Sequence, residues 1–572
     1  MSGKLLEVGR RRVFVVVGGL CLVPVAGLLV WLQSGGLTAT AISTDDSVIA
    51  VSEDEPDSSG TTPTGERPET VSEESGSDEV VGGVDLGRGV SDSDGASVAV
   101  GATGNSHLGA PIPGGSCSVP QLTVGAAITP TSINPEPRVV VQSGSSGDIE
   151  AAIEQIQEAK GGTLHFPAGT YVIEQDGKAS RSVLYFTDLE DFKITGDGVG
   201  ETKLVLEQSP DGIGKQLRNI TVLGANRVEV SDLSVIGQKD YYTPSVETQN
   251  PNFPIGEGDF FAGNLSSREK LEFANKEQQS ALFVRGVTGS SYIHDAEFID
   301  AGGDGINITD SANIVIDNNV FDDNDRNGVT LGGVRGQERS ANVLISNNFF
   351  GPGIDTQQID LELHGSAPFT NSNEVRNGNI QIVSNTFAPR AVEDTIDGDQ
   401  YAATLSESNE ILVEGNDFGG NPFLASYADN VRIFNNTNIG GGRIFRKWST
   451  LDIAANTFDL APITRNNWPT VNNGGLVIQE AANEPVGNVT LRSNTIVSKG
   501  VKWPVFIHGL DQGLIFDNTI TAIGHETIVN VESNVAPSEI GIFANSFTEA
   551  SVEELSWGKG SIALDYSPSG CN

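Results

Sequence analysis

Two carboxylates stand two residues apart in one short apolar segment of the chain. Asp360, Glu362 and His364 alternate with three aliphatic residues in the sequence IDLELH. Because successive side chains of a β-strand point to opposite faces, these three polar groups would share one face of a strand. The α-carbons of the two acids would then be ~6.5–7 Å apart. Two carboxylates at such a distance can act as acid and base on a glycosidic bond.

The two acids would differ in protonation state. Repulsion between like charges raises the pKa of one carboxyl group and leaves the other low, so that one can donate a proton while the other activates water. We favour the inverting arrangement, in which the carboxyl groups are ~6.5–9.5 Å apart, although other rotamers would give the closer retaining distance. Asp304, beside a neighbouring strand, is a third candidate catalytic acid.

Polar side chains that could hold a substrate occur in the flanking segments. The candidates are bases and amides that a sugar carboxylate or hydroxyl could contact, namely Arg326, Asn327, His364, Arg443, Lys447 and His508. Asn307 and Thr330 belong to the same strands. Arg326 or His364 could instead tune the pKa of the acids. The alternative interpretation of the whole set is a solvated polar strand face, as in many solenoid proteins.

The strands that would carry these residues belong to a repeating unit. In each copy a short alternating strand precedes an Asn, a Phe or Ile follows two residues later, and a second short strand comes after a polar turn. The repeated residues are Asn319, Asn348, Asn385, Asn416, Asn456, Asn494, Asn518 and Asn545, with Asn436 in a variant copy. Their intervals of about twenty to just under forty residues are typical of the coils of a solenoid.

The repeated residue types suit stacked coils. Asn tolerates the left-handed conformation of a tight turn, and Asn side chains stacked one coil above another can hydrogen-bond along the stack. We expect the Phe and Ile residues to stack inside, with each coil covering the next at ~4.8 Å.

The first coil has a specific signature. Asp148 can cap a helix whose apolar residues recur at helical spacing and which ends at Gly161-Gly162, and the sequence GGTLHFPAGTYVI follows. These residues resemble the amino-terminal cap and first coil of the pectin-lyase-like superfamily of right-handed parallel β-helices. The resemblance implies an all-β fold, a right-handed parallel β-helix of roughly ten coils with a capping helix.

Resemblance to particular enzymes is weaker. The pattern R-x-G-[IV]-x-L, followed by I-D-[IL]-E, looks like one seen in bacterial and phage-associated β-helix proteins. The chain lacks the N-T-D, D-D, H-G and R-I-K set of polygalacturonases, the R-x-P-x-x-R of pectate lyases and the D-P-H of mannuronan epimerases. The resemblance therefore implies the fold and a polysaccharide substrate, and it assigns no catalytic residue.

The amino-terminal fifth of the chain, up to residue 117, has a different composition. Residues 13–32 are apolar and uncharged, and Arg10, Arg11 and Arg12 precede them. The length and charge asymmetry predict a transmembrane anchor with residues 1–12 in the cytoplasm and the rest outside. The alternative is a cleaved export signal, since Arg11 and Arg12 resemble a twin-arginine motif and residues 39–41 read ATA, which would make the protein secreted.

The remaining boundaries follow from composition. Residues 33–117 are rich in Ser, Gly, Pro and acids, which predicts a disordered, extended linker, and residues 118–572 form the predicted β-helix domain. Cys117 and Cys571 flank that domain and could form a disulfide. The net charge of −41 argues against binding to nucleic acid.

Two further features remain open. Residues 238–279 form a long insertion with several aromatic residues, among them Tyr241, Tyr242, Phe253, Phe260 and Phe261, which could fold over a cleft and stack on sugars or could be a self-packed cap. Residues 323–328 copy the start of a calcium loop, but Val334 stands where a bidentate Glu is needed. We therefore predict polar turn chemistry there, no cofactor, and at most weak Ca²⁺ binding.

Three functions fit these observations. The first is an extracellular enzyme that cleaves glycosidic bonds of a polysaccharide, acidic or neutral, with Asp360 and Glu362 as acid and base. The second is a non-catalytic surface protein that binds glycans through the same polar face. The third is a uronate lyase or epimerase, in which Arg326, His364 or a tyrosine near the cleft acts as base and an acid or metal neutralises the substrate carboxylate.

Overall fold

A computed structural model of the chain describes the β-helix domain from residue 127 onward, with gaps. The described ranges are 127–173, 184–206, 218–238, 280–333, 339–363, 376–390, 401–445, 450–462, 475–479, 486–523, 527–532, 539–543, 545–548 and 553–557. Before them only the backbone of six short strands is described. Most of the predicted linker, including residues 52–117 with Cys117, lies outside the described residues, as do Cys571 and residues 239–279 of the aromatic insertion.

The amino-terminal strands form a unit of their own within residues 1–77. Gly3–Val8 pairs antiparallel with Arg11–Val16, and a second antiparallel sheet contains Val23–Val25, Leu28–Leu32, Ala39–Ser43 and Val48–Val51. Across the described residues, no helix has the length and apolar character needed to cross a bilayer. The anchor over residues 13–32 and its alternative, the cleaved signal, stay predictions.

The rest of the described chain winds through three parallel sheets. Sheet 1 has thirteen strands: Leu184–Thr187, Ile220–Leu223, Ser280–Arg285, Asp304–Thr309, Val329–Gly332, Ile359–Leu361, Ala403–Ser406, Pro422–Ser426, Gly441–Phe445, Gly475–Gln479, Val505–His508, Thr527–Glu532 and Glu553–Trp557. Each strand pairs in parallel with the strand one coil before and one coil after it. The chain is therefore a parallel β-helix, as the sequence predicted.

Sheets 2 and 3 complete each coil. Sheet 2 has fourteen strands: Arg138–Val140, Gly162–His165, Asp191–Thr195, Arg227–Ser231, Ser291–His294, Ala312–Asp317, Ala341–Ser346, Asn377–Val383, Ser408–Glu414, Asp429–Phe434, Thr450–Ala454, Val486–Arg492, Leu510–Phe516 and Glu539–Phe543. Sheet 3 has a seven-stranded part, Gly169–Ile173, Thr202–Leu206, Ser234–Ile236, Glu297–Ile299, Val320–Asp322, Phe349–Phe350 and Thr386–Phe387, and a four-stranded part, Thr457–Leu460, Thr495–Lys499, Thr519–Ile523 and Ser546–Thr548.

The interior is a continuous stack of aliphatic and aromatic side chains. In sheet 1 the aligned residues Ile306, Val329 and Ile359 are fully buried. Five phenylalanines stack along the axis with ring centroids 4.6–6.2 Å apart: Phe298, Phe321, Phe350, Phe387 and Phe418. The predicted interior stacking is confirmed, and the apolar face of every coil is covered by its neighbours.

The repeated asparagines form one buried ladder. Each side-chain amide donates to the side-chain oxygen of the next Asn at 2.8–3.1 Å, from Asn319 to Asn545 and including Asn436. The left-handed residue is the one before each ladder Asn, as at Asn318 and Asn347. The ladder Asn itself is therefore selected for its two-sided hydrogen bonding, and the expectation that it supplies the left-handed turn was wrong.

The capping helix begins earlier than predicted. It spans Ser146–Ala159, and its N-cap is Ser145, whose side chain accepts from the backbone N–H of Asp148. Asp148 lies in the first turn, where its charge favours the helix N-terminus. Ile149, Ala152, Ile153 and Ile156 are buried against the first coil, as the spacing predicted.

Candidate functional site

The parallel register of sheet 1 brings the predicted acids of three coils together. Asn307 aligns with Thr330, and Thr330 aligns with Asp360. Because their strand neighbours Ile306, Val329 and Ile359 point into the core, these three side chains lie on the outer face. Asp304 begins the first of these strands, Arg326 and Asn327 precede the second, and Glu362 follows the third. We call these residues, Asp304, Asn307, Arg326, Asn327, Thr330, Asp360 and Glu362, the acid cluster.

Most of the acid cluster is buried. Asp304, Asn307 and Asn327 have no exposed surface, and Asp360 is 3% exposed. Glu362 and Arg326 are partly exposed and form its accessible side. Since burying carboxyl groups is costly unless they are hydrogen-bonded, the cluster is not the solvated strand face of the alternative interpretation.

The carboxylate of Asp304 accepts hydrogen bonds from side chains on its own strand and on the next strand of sheet 1. Asn307 donates from Nδ2 to one carboxylate oxygen at 2.7 Å, and Thr330 donates its hydroxyl to the other at 3.1 Å. Thr309 in turn donates to the side-chain oxygen of Asn307 at 3.1 Å. The orientation of the Asp304 carboxylate is thus fixed by side chains of two coils.

Asn327 connects the three coils. Its Nδ2 donates to Asp360 at 3.1 Å and to the Thr330 hydroxyl at 3.2 Å. Its Oδ1 accepts from the backbone N–H of Gln357 at 3.0 Å and from the hydroxyl of Thr356. With its side chain fully buried and engaged by protein groups, Asn327 positions the acids, and its predicted contact with substrate does not fit this arrangement.

The pKa of Asp360 is raised by its surroundings. Burial raises its pKa well above the usual value, and the charges of Glu362 and Asp304 and a hydrogen bond with Glu362 raise it further. The guanidinium of Arg326 opposes these effects without cancelling them. A hydrogen bond between two carboxyl groups requires a proton on one of them, and burial favours Asp360 as the group that carries it.

The contact between Asp360 and Glu362 changes the expected geometry. Because they hydrogen-bond to each other, no room is left between them for the attacking water that an inverting pair needs. Asp304 and Asp360 are instead separated by Thr330 and Asn327, through three contacts of 3.1–3.2 Å. These two carboxyl groups are thus no farther apart than roughly the upper end of the ~6.5–9.5 Å typical of inverting enzymes.

A buried hydroxyl group beside the acid cluster lacks a hydrogen-bond partner among the described residues. Thr404 aligns with Asp360 on the next coil, is 8% exposed, and its hydroxyl has no hydrogen-bond partner among the described residues. Sequence reasoning did not select it, nor Thr356. The signal that could have found Thr404 is its register position one coil beyond Asp360.

The other predicted substrate-binding residues are not part of this cluster. Arg443 and His508 lie on the same outer face, three and five coils beyond Asp360. His364 and Lys447 lie outside the described residues. Among the residues that the structure describes, no group of three or more His, Cys, Asp or Glu is placed to hold a metal ion.

Comparisons with known proteins place this geometry in context. No family model matches the chain. Mannuronan C5-epimerase AlgE1 of Azotobacter vinelandii is 28% identical over 218 residues, which make up 37% of this chain and 15% of that protein. The chain thus spans only a small part of the relative it matches.

Solved structures show more distant likeness. The A-module of Azotobacter vinelandii mannuronan C-5 epimerase AlgE6 is 14% identical, with a TM-score of 0.44 over 73% of this chain and 99% of that chain. An exopolygalacturonase from Thermotoga maritima is 12% identical, with a TM-score of 0.35 over 75% of this chain and 94% of that chain. The chain's own stack of parallel sheets confirms the resemblance to the pectin-lyase-like superfamily, without a specific enzyme family.

Proposed function

We propose that the chain is a polysaccharide-active enzyme whose acid cluster cleaves glycosidic bonds. The observation that carries this is the contact between Asp360, a buried carboxyl group whose pKa is raised by burial and by neighbouring acids, and the partly exposed Glu362. A general acid for a glycosidic oxygen must keep its proton near neutral pH, and burial beside a second acid produces that state. The matched relative is named for an enzyme acting on mannuronan, which supports a polysaccharide as the substrate class.

The proposed reaction divides the roles among the three acids. The proton shared by Asp360 and Glu362 passes to the glycosidic oxygen as the bond to the anomeric carbon breaks. A water adds to that carbon and gives its proton to Asp304, across the Thr330–Asn327 connection. Solvent then restores the proton of the pair through Glu362, and Asp304 releases to solvent the proton that it took from the water. Because Asp304 is fully buried, this proposal requires the outer face to open when the polymer binds.

A second candidate is proton exchange at C5 of a uronate residue. It is favoured by the closeness of Arg326 to protonated Asp360 and by the mannuronan C5-epimerase match. A guanidinium and a neutral carboxylic acid could together neutralise a uronate carboxylate, and this would acidify the adjacent C5–H bond. Glu362 would then take the C5 proton. Protonation of C5 by a second acid on the opposite face gives epimerisation, and loss of the substituent at C4 gives elimination.

We also propose that the β-helix acts outside the cell. This proposal is supported by the apolar segment at residues 13–32, its preceding arginines and the acidic composition of residues 33–117. Protease treatment of intact cells checks it. A soluble fragment that begins between residues 43 and 116 is expected, and protection of the β-helix domain from protease would contradict it.

The three functions separate in one set of assays. The full chain is incubated with polymannuronate, polygalacturonate and a neutral glucan. New reducing ends alone indicate hydrolysis, reducing ends with ultraviolet absorbance of unsaturated uronates indicate elimination, and deuterium uptake at C5 in D₂O without cleavage indicates epimerisation. Retention on a polymer without any of these reactions would identify a binding protein and overturn the enzymatic proposal.

Variants then test the assignment of the acids. Asp360→Asn and Glu362→Gln keep the shape of the side chains but cannot transfer the proton, so turnover should fall ~10²–10⁴-fold with polymer binding retained. Asp459→Asn is the matched control, because Asp459 is an exposed acid on sheet 3 paired with Lys499. Full turnover in both acid variants on a confirmed substrate would remove the cluster from the mechanism.

A further inference from the structure

The outer face of sheet 1 changes character beyond the acid cluster. In the column of side chains that contains Asp360, the following coils contribute Thr404, Leu424, Arg443, Val477 and Phe506. In the adjacent outward column, Phe445 is followed two coils later by His508. The same face that holds three acids thus continues into a region of aromatic and aliphatic side chains.

These side chains pack into a cluster separate from the core. Its buried floor contains Tyr401, Leu424, Val477 and Phe506, and Phe445 and Trp503 pack against it. The Trp503 ring stacks on Phe506 with centroids 4.9 Å apart and an interplanar angle of 14°. Phe445, Trp503 and His508 remain partly exposed at its rim. We call the floor and these three residues together the aromatic rim: Tyr401, Leu424, Phe445, Val477, Trp503, Phe506 and His508.

Two cations are fixed on the aromatic rim. The Arg443 guanidinium lies over Phe445, 4.7 Å from the ring centroid, and Lys502 Nζ lies over Trp503 at 3.9 Å. Attraction between a cation and the face of an aromatic ring holds each side chain in a defined position. The whole chain carries 34 basic against 75 acidic residues. Two positioned cations on one face are therefore a local exception to a strongly negative surface.

The spacing of the rim suits an extended polymer. Arg443 lies on the strand two coils before the one that Lys502 and Trp503 precede, a distance of ~10 Å at ~4.8 Å per coil. Five coil steps separate the strand of Asp360 from that of Phe506, or ~24 Å. Consecutive pyranose rings in an extended polysaccharide advance by about one such step, so one chain could span both sites.

We propose that the aromatic rim is a second binding site, which holds the carboxylates of an acidic polysaccharide several sugar units from the acid cluster. The occupant is a polyuronate chain, because Arg443 and Lys502 match its repeated negative charge and the rings match the apolar faces of its sugars. The choice of polymer rests on the proposed function, while binding at the rim does not depend on catalysis. It follows that long acidic chains bind more tightly than short ones.

The test measures the affinity of oligouronates of increasing length for the full chain carrying Asp360→Asn, in which turnover should be strongly reduced. Affinity should rise steeply once the oligomer is long enough to reach the rim, and tryptophan fluorescence should change only for those oligomers. Arg443→Gln and Lys502→Gln should each weaken the long oligomers about tenfold and leave the short ones unchanged. Trp503→Phe should remove the fluorescence change.

A closely matched control exists on another face. On sheet 2, Arg432 lies over Phe434 at 4.6 Å, nearly the geometry of Arg443 over Phe445. Arg432→Gln removes the same charge from the same kind of pair and should leave binding of all oligomers unchanged. Equal losses in the Arg432 and Arg443 variants would overturn the proposal, because they would reflect overall charge alone.

The remaining outcomes separate this inference from the proposed function. Length-dependent binding that requires Arg443 and Lys502, in a parent protein with no turnover on any polymer, supports the rim and rejects the enzyme. Turnover with no effect of the rim variants on long substrates supports the enzyme and rejects the rim. The absence of binding to any polyuronate by the parent also rejects the rim.

Discussion

The side-chain amide of Asn327 donates a hydrogen bond to Oδ2 of Asp360 at 3.1 Å, and this contact fixes the orientation of the Asp360 carboxyl group. The backbone N–H of Gln357 donates to Asn327 Oδ1 at 3.0 Å, so the amide nitrogen must face Asp360. Because Oδ2 of Asp360 accepts this bond, Oδ1 remains for the hydrogen bond with Glu362. Asn327 thereby orients Asp360 toward the exposed side of the acid cluster.

Replacement of Asn327 by Leu should raise the pKa of the Asp360–Glu362 pair further. The amide stabilises the charged form of Asp360, and its loss favours the protonated form. The variant also leaves the Gln357 N–H without its acceptor, at a cost of about 1–3 kcal/mol in the free energy of unfolding. Infrared absorption of protonated carboxyl groups against pH, assigned by difference from Asp360→Asn, measures the pair directly.

A ladder residue provides the control for Asn327. Asn348→Leu removes a buried amide of the same kind, which contacts Asn385 and the backbone of Ile316 and not the acid cluster. It should lower stability without moving the titration of the pair. If Asn327→Leu shifts the titration no more than Asn348→Leu does, its role is structural only.

Asp360→Asn should stabilise the protein increasingly as pH rises. The folded-state pKa of Asp360 is raised above that of an unfolded carboxyl group, ~3.9. The stability associated with its protonation is therefore complete below that value and is lost as pH rises through the folded pKa. Asn keeps the donor to Glu362 and the acceptor for Asn327 but does not titrate. Guanidinium unfolding at pH 4 and pH 8 should show a difference that grows with pH, whereas parallel curves would show that Asp360 is ionised in the folded protein.

The architecture could be predicted from the sequence because it follows from local rules. The repeated Asn and Phe residues report directly on stacking, and the alternation around Asp360 assigns its side chain to the outer face. The burial of the acid cluster could not be predicted in the same way. Alternation says which face a residue occupies, but it does not say whether that face is covered.

Contacts between coils set the rest of the site. The Asp360–Glu362 contact depends on rotamers, and the path from Asp304 through Thr330 and Asn327 depends on register across three coils with different loop lengths. The N-cap was placed three residues late because Ser145 and Asp148 are both good caps, and sequence alone does not show which side chain accepts the bond.

The asparagine ladder should contribute measurably to stability. Asn416 donates to Asn436 at 2.8 Å and to the backbone carbonyl of Ile382 at 2.9 Å, and its oxygen accepts from the backbone N–H of Asn385 at 2.8 Å. Asn416→Ala leaves several of these groups buried without partners, so the free energy of unfolding should fall by at least ~2 kcal/mol. Thr437→Ala, at an exposed β-bridge position of the next coil, keeps the backbone hydrogen bonds and should change it by less than ~0.5 kcal/mol. Similar costs for the two variants would show that the ladder is not a stabilising element.

The segment before the first strand of sheet 2 is tied to that sheet by a buried charge. Glu229 is 1% exposed and accepts from the backbone N–H of Ile133 at 2.6 Å, from Lys193 at 2.5 Å and from His294 at 3.3 Å. Burial alone would raise the pKa of Glu229, but His294, Lys193 and the Ile133 amide outweigh it and lower that pKa to about 2. Burial alone would lower the pKa of His294, but Asp295 and Glu229 raise it to about 9.

The pKa shifts of Glu229 and His294 predict that the contact between these two residues stabilises the protein most at mildly acidic pH. The Glu229 contribution is complete above its ordinary pKa of 4.5 and is lost as pH falls through about 2. The His294 contribution is complete below 6.5 and is lost as pH rises through about 9. Protection of the Ile133 amide from hydrogen exchange, relative to its intrinsic exchange rate at each pH, should therefore be greatest between these limits and fall toward pH 9. Glu229→Gln should cost about 3–5 kcal/mol, since it leaves Lys193 without this counter-ion and His294 with Asp295 alone, and should reduce the pH dependence above 6.5. If exchange at Ile133 depends on pH equally in the parent and in Glu229→Gln, then a group other than this pair holds the segment in place.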